Sequence, residues 1–341
     1  MVQQTLSKVV SGHDLTREES AELMKTMMEG NVSSAQIGAA LTALRMKGET
    51  VEEISGFAHA MREKVTPVRL EIPDAVDTCG TGGDGKGTFN ISTAATIVAA
   101  AAGIPVAKHG NRAASGRSGS ADVLETLGID IRMDAQEAER ALREWGICFM
   151  FAPLYHRAMK NVMPARKELG FRTCFNLLGP LANPAGVRRQ LVGVYDPDLT
   201  ETVAQVLLSL GADRVLVVAG LDGIDEVSVT GETRISEGKD GQVHTYRVTP
   251  EELGLNRCSL SELAGGDVQI NAELIRDVLK GISGPKRDVV LANAGAVIYV
   301  AGRATCLQEG IHIAAETVDS GRAEKKLEKM VGAGKEVHRV S

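Results

Sequence analysis

Apolar residues recur at helical spacing through the first 65 residues and at strand spacing beyond them. Ile54, Phe57, Ala58 and Met61 fall at i, i+3, i+4 and i+7, and Ile37, Leu41 and Leu44 form a second stripe. Such stripes pack one helix face into a core or an interface. Thr16-Arg-Glu-Glu19 and Thr50-Val-Glu-Glu53 each set a hydroxyl three residues before a carboxylate, the capping-box pattern of a helix start. Gly30 and Gly48 stand where such helices would stop. Pro67 to Pro73 reads as a linker. From Ala75 onward, short β-branched runs alternate with helical stretches. Ile104-Pro-Val-Ala107 reads as a buried strand, as does Val215-Leu-Val-Val218 after a helix from Leu199 to Leu210. That alternation predicts an α/β fold: an N-terminal helical domain over residues 1–66, then a large α/β domain over 72–335 with a central, mainly parallel sheet flanked by helices. No internal repeat or low-complexity tract interrupts it.

The densest chemistry lies in Asp77-Thr-Cys-Gly-Thr-Gly-Gly-Asp-Gly-Lys-Gly-Thr-Phe-Asn-Ile-Ser-Thr93. Five glycines fall within residues 80–87, between an apolar strand and an alanine-rich helix. Glycine lets backbone N–H groups approach a ligand closely. Asn90 to Thr93 supply cap-type side chains at a helix start, where unpaired N–H groups and the positive dipole end favour an anion. The stretch describes a cradle for phosphate or diphosphate. It satisfies G-x-G-x-x-G, but the helix begins nearer Ser92, and Ile104 to Asn111 carries Lys108 where a dinucleotide site wants an acid. It also reads G-x-x-x-x-G-K, but Gly87 follows where a P-loop needs Ser or Thr. Asp84 would repel a bare phosphate, so it faces a hydroxyl, a cation or a metal-bound water.

A second loop follows the strand at Ile104: Lys108-His-Gly-Asn-Arg112, then Ala113-Ala-Ser-Gly-Arg-Ser-Gly-Ser-Ala-Asp122, entering a helix near Ser120. Lys108, Arg112 and Arg117 bring positive charge, and Ser115, Ser118 and Ser120 bring hydroxyls. Two such loops after consecutive strands lie side by side at the carboxyl edge of a parallel sheet, where open α/β folds bind ligands. His109 is a possible base, but a histidine here serves equally as a hydrogen-bonded structural group, and it is assigned no catalytic role.

The pair Gly80-Thr-Gly-Gly-Asp84 and Lys108-His-Gly-Asn-Arg112 resembles the anthranilate phosphoribosyltransferase family. Phe151-Ala-Pro-Leu-Tyr-His156, Arg166-Lys-Glu-Leu-Gly-Phe-Arg-Thr173, Phe175-Asn-Leu-Leu-Gly-Pro-Leu-Ala-Asn-Pro184 and Gly220-Leu-Asp-Gly-Ile-Asp-Glu226 extend the likeness in order from about residue 5 to about 335. The resemblance implies transfer of a phosphoribosyl group from 5-phosphoribosyl 1-diphosphate (PRPP) to the amine of anthranilate, the second step of tryptophan biosynthesis from chorismate. It implies PRPP contacts at Gly80, Gly83, Asp84, Thr88, Asn90, Ile91, Ser92, Thr93, Lys108, His109, Gly110, Asn111, Arg112, Ala113, Ala114, Ser115, Gly116 and Ser120. It implies anthranilate contacts at Gly80, Asn111, His156 and Arg166, and Mg²⁺, two ions per chain, on Ser92, Asp225 and Glu226. It further implies a homodimer formed by the helical domain, which helices near residues 170–185 would join in space. Gly116 stands where some members have a second serine, and Phe89 is bulky for its place. Adjacent carboxylates such as Asp225 and Glu226 suit magnesium, which takes its other ligands from water and substrate phosphates. Without the resemblance, they would read as a solvated acidic turn.

Composition adds limits. With 38 Lys and Arg against 44 Asp and Glu, the net charge of −6 argues against a nucleic-acid surface, which needs a basic patch. Aromatic residues make up 3%, so the core is aliphatic. The apolar run from Ala94 to Ala107 is broken by Gly103 and Pro105 and falls short of a membrane span. No signal-peptide pattern opens the chain. Five scattered cysteines without C-x-x-C fit reduced thiols in the cytoplasm. Two rivals remain: a pyrimidine nucleoside phosphorylase, which shares this architecture and would release thymine from thymidine and phosphate, and a non-catalytic relative that binds nucleic acid, which a mobility-shift assay would reveal.

Overall fold

The computed structural model describes residues 2–113 and 118–340, with side chains as far as residue 332. Helices Val2–Val10, Arg17–Met28, Ser34–Lys47 and Val51–Lys64 open the chain. The capping boxes at Thr16 and Thr50 are formed, and a third joins Ser33 to Gln36. The expected stripes are buried: Ile54, Phe57, Ala58, Met61, Ile37, Leu41 and Leu44 are all at most 5% exposed. Gly48 ends the third helix with φ of 87°, and Gly30, at 80°, follows the second.

Seven strands make one sheet: β1 (Val76–Gly80), β2 (Val106–Gly110), β3 (Ile147–Phe151), β4 (Arg189–Gly193), β5 (Arg214–Gly220), β6 (Thr233–Lys239) and β7 (Gln242–Val248). Their order is β3-β2-β1-β4-β5-β6-β7; the first five run parallel, and β6 and β7 close the edge antiparallel. Side chains alternate across the pleat. Leu216 and Val218 of β5 enter a core shared with helices Ile91–Ala101, Val268–Leu279, Pro285–Val300 and Leu307–Asp319. Val215, Val217 and Ala219 face the opposite way, into a core shared with the N-terminal helices and with helices Phe175–Leu181 and Leu199–Ser209. The helical part therefore sits on one face of the sheet. Arg62 fastens it there: the half-buried guanidinium donates to the Leu181 carbonyl at 2.7 Å and the Leu210 carbonyl at 3.1 Å, at the ends of those two helices.

The strand predicted at Ile104 begins later and runs further. β2 covers Val106–Gly110, so Lys108 and His109 are strand residues, 2% and 6% exposed, and not loop residues. Because β1 pairs with β2 on one side and with β4 on the other, the strand order reverses direction beside β1. Loops leaving the carboxyl ends of β1 and β4 diverge there and leave a crevice.

Candidate active site

The first wall of that crevice is the glycine loop. Gly82, Gly83, Gly85 and Gly87 all have positive φ, between 63° and 72°, which other residues adopt only at a cost. Gly80 ends β1 in register with Gly193 of β4. A side chain on either would overlap Asp225: at Gly80 its carboxylate oxygen, at Gly193 its backbone carbonyl. The glycine pair thus opens a slot at the switch point, and Asp225 fills it. Gly193 carries no local sequence signal of this role, because its neighbour in space is 32 residues further along the chain.

Asp225 and Glu226 follow β5 and lie partly buried at the crevice floor. Asp225 accepts a hydrogen bond from the Gly82 N–H at 2.8 Å, and Glu226 accepts one from the Ser92 N–H at 3.1 Å. No Lys or Arg pairs with either among the described residues. Burial, with Asp84 nearby, pushes the Asp225 carboxyl up to about 6. Burial, and then Asp225 itself, pushes Glu226 up as well. Two adjacent carboxylates held in place without an ion pair among the described residues, with only Arg172 and Lys108 acting on them from farther off, are a donor set for a hard cation. Asp222 is different: Ser228, at 2.6 Å, and Thr230 donate to its carboxylate and tie the loop internally.

Helix Ile91–Ala101 points its start at these acids. Its N-cap, Asn90, makes no side-chain cap bond, contrary to the cap expected there. Its amide instead donates to the Ser118 carbonyl and accepts from the Ser118 hydroxyl, both at 3.1 Å, so it joins the two loops. Ile91 sends its side chain into the core and its N–H to the Phe89 carbonyl, so it brings no side chain to the crevice. Phe89 is likewise core. The Thr93 hydroxyl is buried without a partner, and Thr88 forms a bridge to Ala264. Asp84 accepts from the Lys86 N–H at 3.1 Å, a local turn bond.

On the second wall, Lys108 donates to the Thr78 carbonyl, and its charge acts on both Asp77 and Glu226. Gly110 allows close packing of the Ser120 hydroxyl and the Phe149 ring. Ser120 opens helix Ser120–Thr126 and donates to the Asn111 carbonyl at 3.2 Å. Arg112 departs from expectation. Its guanidinium already pairs with Asp122 at 2.6 Å and Glu125 at 3.0 Å, so it is no free cation for a phosphate. The Ala113 and Gly119 N–H groups are also spent on Asp122. Ala114, Ser115 and Gly116 lie outside the described residues, as does Arg117.

The third wall comes from the helical side. Arg166, on helix Met163–Leu169, stacks 5.1 Å from the centre of the Phe175 ring. It is half-buried, which lowers its pKa, and no carboxylate pairs with it among the described residues. Arg172 lies over the Tyr195 ring and donates to the Gly83 carbonyl, a link to the glycine loop that the sequence alone did not mark. His109 and His156 sit with ring centres 5.1 Å apart, each with an Nε2 that is buried and unpartnered.

Burial pushes His109 down to about 3, helped by His156, and pushes His156 down to about 4. Both rings are neutral at pH 7 and are poor bases. Because an unfolded histidine titrates near 6.5, the folded chain binds fewer protons below that pH. Stability from these rings is full above about 6.5 and falls by up to about 1.4 kcal/mol per pH unit per ring on acidification toward 4 and 3. His156 is the more exposed and contributes less. Thermal melts should therefore show a smaller drop in Tm from pH 7 to pH 5 in His109→Gln than in the unaltered chain. Equal drops would show that His109 accepts a proton in the fold.

Residues 72–324 match the glycosyl transferase family a/b domain, and residues 3–65 match the helical bundle domain of the same family. The anthranilate phosphoribosyltransferase of Moorella thermoacetica is 53% identical over 331 residues, 97% of this chain and 98% of that one. The chain belongs to the anthranilate phosphoribosyltransferase family. The solved structure of the Thermus thermophilus member superposes with a TM-score of 0.92 at 45% identity, covering 97% and 99% of the two chains. The Saccharomyces cerevisiae member, solved in complex with PRPP and Mg, gives 0.89 at 28% identity, covering 98% of each. A second yeast structure of the family carries 4-fluoroanthranilate, with a TM-score of 0.88 at 28% identity and the same coverage. These likenesses favour the transferase over the nucleoside phosphorylase reading. No helix among the described residues is long and apolar enough to cross a membrane.

Proposed function

We propose that this chain binds PRPP in the switch-point crevice and transfers its phosphoribosyl group to the amine of anthranilate, releasing diphosphate. The observation that carries the reading is the juxtaposition at the crevice floor: a helix start without a side-chain cap, a loop of glycine N–H groups, and two adjacent carboxylates with raised pKa values. In this reading Gly80, Gly83, Asp84, Thr88, Asn90, Ser92, Thr93, Lys108 and Ser120 surround PRPP. Asp225, Glu226 and Ser92 would hold Mg²⁺, two ions per chain. Magnesium so held supplies positive charge to the diphosphate oxygens.

The amine of anthranilate attacks while neutral, since its lone pair is spread into the ring, so the site needs no strong base. The neutral His109 and His156 agree with this. Rate must come from easing diphosphate departure and from holding the amine over C1. Fixed donors of this kind contribute about 2.7–4 kcal/mol each in other enzymes. Positioning can contribute about 7–11 kcal/mol in favourable cases. Lys108, fixed by Thr78, presents a buried cation toward the carboxylate floor. Arg166, stacked on Phe175 and without a carboxylate partner among the described residues, would offer a planar fork to the anthranilate carboxylate, with Asn111 and His156 as further anthranilate contacts in this reading.

We read residues 1–66 as the helical domain and 72–335 as the α/β domain. A homodimer through the helical domain belongs to the same reading, and Val10 and Met46 are apolar side chains that this part leaves exposed. Five unpaired cysteines support a reducing, cytoplasmic setting.

The test follows anthranilate fluorescence with PRPP and Mg²⁺. Consumption that requires both is expected; none would overturn the reading. In the same assay Arg166→Ala should raise the KM for anthranilate about tenfold or more, as expected for a lost charged hydrogen bond, and spare that for PRPP. Equal weakening of both substrates would remove Arg166 from the carboxylate.

A further inference from the structure

Asn271 lies on helix Val268–Leu279, 181 residues beyond Asn90, and is 3% exposed. Its Nδ2 donates to the Asn90 Oδ1 at 3.0 Å, and its own Oδ1 accepts from the Gly266 N–H at 2.8 Å. The Asn90 Oδ1 thus receives two donors, Asn271 Nδ2 and Ser118 Oγ, while its Nδ2 donates to the Ser118 carbonyl, so the amide is held at both ends and from two segments. The segment leading to Asn271 braces the glycine loop directly. The Phe89 N–H donates to the Leu263 carbonyl at 3.2 Å, and the Gly265 N–H donates to the Gly87 carbonyl at 2.9 Å. A side chain at Gly265 would strike both Asn271 and the Phe89 backbone. Residues 263–271 therefore grip the descending limb of the first loop, and Asn271 reaches through to the residue that joins it to the second.

We propose that Asn271 is a positioning residue for the sugar-diphosphate site, acting through Asn90 to hold the two loops in register. This inference rests on the functional reading above. Neither amide titrates, so the effect is geometric and independent of pH. Without Asn271, the Asn90 Oδ1 keeps only the Ser118 hydroxyl as donor, and the tie between the two loops loses its anchor to residues 263–271.

The test is a double-mutant cycle. Asn271→Ala should raise the KM for PRPP roughly tenfold, the scale of losing one buried hydrogen-bond partner, with the KM for anthranilate little changed. Asn90→Ala should do at least as much. The double variant should be no worse than Asn90→Ala alone, because Asn271 then has nothing to position. Asn271→Asp guards against a folding defect: it keeps an acceptor for Gly266 but faces Asn90 with a carboxylate, and it too should weaken PRPP alone. Losses that add in the double variant, or that weaken both substrates equally, would overturn the proposal. So would an unchanged KM for PRPP in both Asn271 variants. Failure of the unaltered chain to bind PRPP would overturn the functional reading itself, and this inference with it.

Discussion

Asp225→Asn combined with Glu226→Gln is expected to lower turnover about a thousandfold and to raise thermal stability at pH 7. The two effects share one cause. Both carboxyls are pushed up from their ordinary range, chiefly by burial, and Asp225 reaches about 6 against 3.8. A carboxylate with a raised pKa destabilises the fold when ionised. The penalty is complete above the folded pKa and is relieved as pH falls through 6 toward 3.8. For Asp225 it amounts to about 3 kcal/mol at most, taking about 1.4 kcal/mol per pKa unit. The amides keep the acceptors for Gly82 and Ser92 and remove the buried charge. The metal-free double variant should thus melt a few degrees higher. The loss of turnover is set on the scale of removing one preorganised partner of a developing charge, which costs about 10²–10³ in other enzymes. Melting without and with magnesium, beside steady-state rates, checks both halves. Undiminished magnesium-dependent turnover would sink the assignment of these acids. A lower Tm would show that the pair stabilises the fold.

That opposition between stability and chemistry also explains what the sequence could and could not reveal. Features set by neighbours in the chain were legible. Thr16 and Thr50 cap their helices because the partner acid is three residues away. The glycines at 82, 83, 85 and 87 announce a backbone that only glycine adopts readily. The strand around Val215 to Val218 was plain because a β-branched run follows a helix. Features set across the sheet were not legible. Lys108 looked like a loop cation because Lys-His-Gly is polar. It lies in a strand, where its Nζ donates a hydrogen bond to the Thr78 carbonyl of β1 and its charge acts on the buried Asp77. Arg112 looked free because Asp122 and Glu125 reach it only once helix Ser120–Thr126 folds back. Asn90 read as a cap, since asparagine before a helix usually is one. Its amide goes instead to Ser118 and Asn271, partners that no local window contains. The slot for Asp225 needed two glycines on different strands, and only one lay in a recognisable motif.

Those two glycines should respond differently to the same substitution. Gly193→Ala drives a methyl group into the backbone carbonyl of Asp225, which cannot move without shifting the loop after β5. Overpacking of this kind typically costs about 1–3 kcal/mol, and here it also displaces the acid from the crevice. Gly80→Ala drives the methyl group into the Asp225 carboxylate oxygen, the end of a side chain that can rotate away. Gly80→Ala is therefore expected to keep its Tm within a degree or two and lose turnover by about a hundredfold or more, on the scale of one lost electrostatic partner. Gly193→Ala is expected to lose turnover at least as far and to melt several degrees lower. Melting curves and rates on the two variants, prepared side by side, separate the cases. Full turnover in Gly193→Ala would mean that Asp225 does not sit against β4 in the working enzyme. A Tm equally depressed in both variants would mean that the Asp225 side chain is as rigidly held as its backbone, because burial and the Gly82 N–H together fix a carboxylate that would otherwise turn aside.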